Sequence, residues 1–169
     1  MDPKLAFENG GMTDADVAVV RSHLMRLVES KKCDADELEK IYSEYYKHCM
    51  GVVDLITRST KDESELIELD QLKRIIRICT VDEIFIRTWA KIWKMRDNIM
   101  AKRADWFLGQ DFKHIIKPDR KQVFLETLVA MAKNRHRHMT PEQHEIYWKK
   151  GYSMMGCIAR FVKIVDVHI

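Results

Sequence analysis

The chain has 169 residues, with 29 Lys and Arg against 26 Asp and Glu, for a formal net charge of +3. That length corresponds to one domain at about 150 residues each, and a composition 46% apolar and 33% charged excludes general disorder. Six Gly and three Pro exclude a fibrous or linker-like chain, and no apolar run approaches the roughly 18 residues of a membrane span.

Residues 1–12 read as a flexible N-terminal tail, and 13–169 as a single helical domain. Met1 to Gly11 carries charges and a Pro where an export signal needs an unbroken apolar segment, so none is expected. Thr13 and Asp16 then take the N-cap and N3 places of a first helix, a weaker variant of the capping box. Its apolar stripe runs through Val17, Val20, Leu24, Leu27 and Val28. Asp34 and Glu37 repeat the pattern, and Leu38, Ile41, Tyr42, Tyr45, Cys49, Val53 and Ile56 continue one face. A third helix carries Leu66, Leu69, Leu72, Ile75 and Ile76. Thr80 and Glu83 open a fourth, and Gly109 is placed to end it. A fifth follows Pro118. Thr140 and Gln143 open the last, with Pro141 at the first helical position, where its missing N–H costs nothing.

This spacing predicts helices over about 14–31, 34–58, 62–79, 81–108, 119–135 and 141–165. Short connections make neighbours antiparallel by default. The expected fold is all-α, a single compact bundle of about six mostly antiparallel helices, with no fixed-period repeat and no sustained heptads.

Charge is unevenly distributed. Residues 1–80 hold 12 basic and 16 acidic side chains; residues 81–169 hold 17 and 10. Such an asymmetry suits self-complementary packing or one face aimed at an anionic partner, and ordinary solvated helix surface accounts for it equally well. Within the fourth helix, Arg87, Lys91, Lys94, Asn98 and Lys102 recur every three or four residues as a basic stripe, close to Trp89 and Trp93. Cations along one face neutralise phosphates, and interleaved aromatics stack on bases. The competing reading puts the tryptophans in the core with the basic stems reaching outward. Lys133, Arg135 and Arg137, with His136 and His138, form a second basic cluster where the helix dipole favours cations in any case.

No catalytic signature appears. His48 adjoins Cys49, but helix neighbours point about 100° apart, so adjacency makes no general base. There is no GxSxG, P-loop or GxGxxG motif. His136, His138 and His144 lack zinc-site spacing, so neither a metal nor a cofactor is expected. Cys49, Cys79 and Cys157 fall at apolar helical positions and read as buried thiols, with Cys33 in a turn. Reduced cysteines without an export signal suit an intracellular location.

Trp148, Tyr152, Met154 and Met155 make the last helix apolar or amphipathic around much of its circumference. A helix of that kind is central to a bundle or lies between the bundle and a partner. The expected function is therefore a non-enzymatic interaction or assembly protein. Its protein-binding or self-associating surfaces would lie on the fourth and last helices, drawing on Trp89, Trp93, Trp148, Tyr152, Met154 and Met155. The alternative is a nucleic-acid-binding module using Arg87, Lys91, Lys94, Lys102 and the 133–138 cluster. No membrane partner is expected.

Overall fold

The computed structural model describes residue 6, residues 13–110 and residues 124–166. Among them there is no strand, and the helices are α1 (Asp14–Glu29), α2 (Ala35–Ser59), α3 (Glu63–Ile78), α4 (Val81–Lys94), α5 (Arg96–Met100), α6 (Ala104–Gly109), α7 (Phe124–Arg135) and α8 (Pro141–Val165). A 3₁₀ turn, His136–His138, links α7 towards α8. The fold is an all-α bundle, and no described helix is long and apolar enough to cross a membrane. The expected helix start at 119–123 lies outside the described residues.

The helix starts follow from their caps, with two surprises. Reciprocal capping boxes form at Thr13/Asp16 and at Thr140/Gln143, so the variant read as weaker is complete. Asp34 instead accepts only from the Asp36 amide. Thr80 makes no side-chain cap bond; its hydroxyl donates to Asp82 and accepts from Arg21 Nη2 at 2.8 Å, which ties α1 to the start of α4.

Pairwise contacts fix the directions. Glu44 of α2 meets Arg160 of α8 while Gly51 meets Lys150, so these two long helices run antiparallel. A methyl group on Gly51 would lie 3.0 Å from Lys150 Cε, the mobile end of a lysine side chain that crosses α2 at this point. Asp14–Arg87 and Arg21–Asp82 make α1 antiparallel to α4. The core is centred on α4, where every residue from Glu83 to Ala90 is buried. Phe85 packs edge-on against Tyr45 and Phe161 at 5.0 and 4.8 Å between ring centroids, and Trp89 lies 5.1 Å from Phe161. Ala6, expected in a free tail, is also buried in this core.

The helix expected over 81–108 is three helices. It first breaks at Met95, whose ψ of 6° ends α4, while Arg96 Nη1 donates to the Trp93 carbonyl at 2.9 Å. It breaks again at Lys102, which takes a left-handed conformation (φ 51°). There the Arg103 amide donates to the Asn98 carbonyl and the Lys102 amide to that of Ile99, the two bonds of a Schellman ending. The same ending closes α1 at Lys31 (φ 58°). Lysine stands where glycine is the usual signal, so neither break is marked in the sequence.

Candidate functional site

The two breaks turn the chain away from its helical path and open an apolar cleft. Ile92 and Met95 of the α4 end, Ile99 of α5, and Phe107 and Leu108 of α6 form one wall. Leu125, Leu128, Val129 and Ala132 of α7 form the second. Tyr147, Trp148, Gly151 and Met154 of α8 close the third, with Val52 of α2 at the base. Gly151 keeps α8 close to α5, since a methyl group there would lie 3.3 Å from Ile99 Cγ2. Phe107 holds Trp148 at 5.8 Å between ring centroids at one side of the cleft, and Trp106, outside the lining, packs edge-on against Phe107 at 4.9 Å. Leu108 lines the cleft while keeping 40% of its surface in solvent, so the apolar lining continues to the mouth.

The cleft volume is about 210 Å³. Pockets for drug-sized ligands run from about 300 to 1,000 Å³, whereas an apolar cavity of about 150 Å³ holds a benzene ring. The space therefore suits one bulky apolar group and is too small for a nucleotide or a large cofactor.

The polar lining is confined to Lys133, His136, His144 and the Tyr147 side chain. His136 and His144 lie with ring centroids 4.3 Å apart at 33°, and His144 Nε2 is 3.1 Å from the His136 carbonyl oxygen. Burial, and then the neighbouring His144, push the His136 pKa below its ordinary value. Lys133 Nζ donates to the Gln110 carbonyl at 2.5 Å. Burial likewise raises the Tyr147 pKa.

The residues read as an anion surface are placed otherwise than a solvated stripe requires. Arg87 is 2% exposed and donates to Glu83 and to Asp14, because α4 is central and its basic face is turned into the bundle. Lys91 pairs with Glu126 of α7, Lys102 with Glu145 of α8, and Arg135 with Glu65 of α3. These cations bridge helices within the chain. Lys94 and Arg137 are exposed on different elements. The residues read as a protein surface divide as well. Trp89, Met154 and Met155 are buried in the core, which corrects their reading as surface groups, although Met154 also reaches the cleft wall. Trp93 is half-buried, with the Arg96 guanidinium 4.7 Å from its ring centroid. Tyr152 is half-buried beneath Lys102 Nζ, 5.8 Å from the ring centroid. Of the six, Trp148 and Met154 line the cleft.

Cys49, Cys79 and Cys157 are buried and Cys33 is half-buried, and none of the four is in a disulfide. Burial pushes the Cys49 pKa up to about 12, the opposite of what a nucleophile needs. Among the described residues no group of three His, Cys, Asp or Glu side chains could hold a metal ion.

Phe107, Leu108, Ala132 and Gly151 were not singled out as site residues in the sequence. Phe107 and Leu108 came closest to being found, as consecutive apolar residues just before the expected helix end at Gly109. Comparison of the chain with protein-family models, curated proteins and solved structures finds no match.

Proposed function

We propose that this protein is a non-enzymatic interaction module that receives one bulky apolar side chain of a partner protein in the cleft between its fourth and last helical stretches. The observation that carries the reading is the cleft itself: apolar on three walls, about 210 Å³, and apolar out to the exposed Leu108. An exposed apolar recess of this size is a recurrent mark of a protein contact, where one anchored side chain supplies much of the affinity. Two of its walls come from the fourth and last helical stretches, the ones expected from the sequence to carry the partner surface, and the third comes from α7.

The nucleic-acid reading draws less support, because Arg87, Lys91, Lys102 and Arg135 are each paired with carboxylates of the same chain. A phosphate would have to displace those pairs.

Selection of peptides from a displayed library tests the proposal. Selected peptides should share one large apolar residue and should bind the native chain. They should fail to bind Ala132→Leu or Ala104→Leu, which fill the cleft from opposite walls with apolar volume. Filling a cavity leaves stability unchanged or raised, so thermal unfolding separates a blocked cleft from a damaged fold. Peptides that bind native and filled proteins equally would sink the reading, as would a filter-binding assay in which RNA or DNA is retained at low salt and released steeply as salt rises.

A further inference from the structure

Resting on that reading, we infer that the partner segment seated in the cleft is acidic, an amphipathic stretch whose apolar anchor is flanked by Asp or Glu. The charge at the cleft points that way. Among the described residues, its charged or protonatable groups at neutral pH are Lys133, His136 and His144, and no carboxylate lines it. The Lys133 ammonium donates to the neutral Gln110 carbonyl, and no described carboxylate pairs with it. Among the described residues that charge has no carboxylate beside it, at an otherwise apolar wall. Arg137 stands exposed in the same 3₁₀ turn as His136 and adds to the positive field there. Along the lining helices, Glu126 and Glu145 are turned to Lys91 and Lys102, and Asp97, Asp105 and Glu142 are exposed outside the lining. A basic-flanked segment would meet like charge at the cleft mouth, whereas an acidic-flanked one meets its complement. The volume adds a second limit. One anchor fits, so the flanks must supply the discrimination among apolar segments.

Three fluorescein-labelled helical peptides test this, each carrying the same single Phe anchor and flanked by Glu, by Gln or by Lys. Anisotropy titrations at about 0.05 M and 0.5 M salt read the preference, since added salt shortens the reach of surface charge. The Glu-flanked peptide should bind at least about tenfold tighter than the Lys-flanked one at low salt, with the ratio shrinking to about threefold or less at high salt. Arg137→Glu should reverse the order. Lys133→Glu is the second variant, read beside circular dichroism because it also removes the contact to Gln110. Equal binding of all three peptides overturns the acidic partner while leaving the cleft reading intact. Binding of none overturns both. A concentration-dependent dimer by light scattering, one that competes with the peptides, also overturns it, because the occupant would then be a second copy of the chain.

Discussion

Arg87 Nη2 lies 3.0 Å from Glu83 Oε1, one turn back on α4, with both side chains withdrawn from water. The same nitrogen reaches Asp14 at 2.5 Å, on the exposed first turn of α1. A charge taken from water at this depth is held only by such partners, and removing one leaves the other uncompensated. Arg87→Met should therefore destabilise the chain by about 3–5 kcal/mol in urea unfolding, because it takes the paired cation away from the buried Glu83. Arg87→Met with Glu83→Leu should recover most of that loss. A double variant as unstable as the single would show that the pair does not account for the cost.

Lys102 occupies a left-handed position that a side chain resists by roughly 1–2 kcal/mol, and it is anchored there by Glu145 at 2.9 Å. The pair is exposed and screened by solvent, so it contributes little to stability. Lys102→Gly loses the pair and relieves the backbone, so its stability should stay within about 0.5 kcal/mol of the native chain. Lys102→Ala loses the pair and keeps the strain, so it should fall about 1 kcal/mol below the glycine variant. Chemical unfolding of the two variants side by side measures the difference. Equal stabilities would mean that α5 does not end through a left-handed residue.

Three histidines set a pH dependence of known sign. Burial is the first cause that lowers the pKa of His23, His48 and His136, with Arg26, Lys150 and His144 respectively adding repulsion, and Glu44 partly offsetting it at His48. Each is then less readily protonated folded than unfolded, so the unfolded chain binds more protons just below the ordinary value of about 6.5. Stability should be complete above that pH and decline as pH falls from about 7 towards 5. Urea midpoints at pH 7.5, 6.5 and 5.5 should fall in that order, with a shallower slope for His136→Gln. A midpoint that rises on acidification would contradict the burial argument.

Much of the fold was legible because its signals are local. Apolar spacing and the boxes at Thr13 and Thr140 gave α1, α2, α3 and α8 within a few residues. The cleft was not legible, for two physical reasons. Its walls depend on breaks at Met95 and Lys102, neither of which carries Gly or Pro, and Gly109 was the only punctuation in that stretch. The second reason is that periodicity gives faces and not neighbours. Arg87 and Lys91 lie on a basic face of α4, and nothing within that helix says that Asp14 and Glu126 close over it. Trp89 could be read from the spacing as core or as partner surface, and it is Phe161, packed against it from α8, that makes it core. Trp148 and Met154 were singled out on the last helix, but the α6 and α7 residues opposite them come together only through tertiary packing.

Amide chemical-shift mapping tests the central claim, that the cleft is the partner-binding surface, most directly. Titrating the ¹⁵N-labelled chain with the Glu-flanked Phe peptide should move the amides of Phe107, Leu108, Ala132, His136, Trp148 and Gly151, and leave α1 and α3 unmoved. Shifts centred instead on the exposed faces of α1 or α3, or spread evenly over the lysines and arginines, would contradict it.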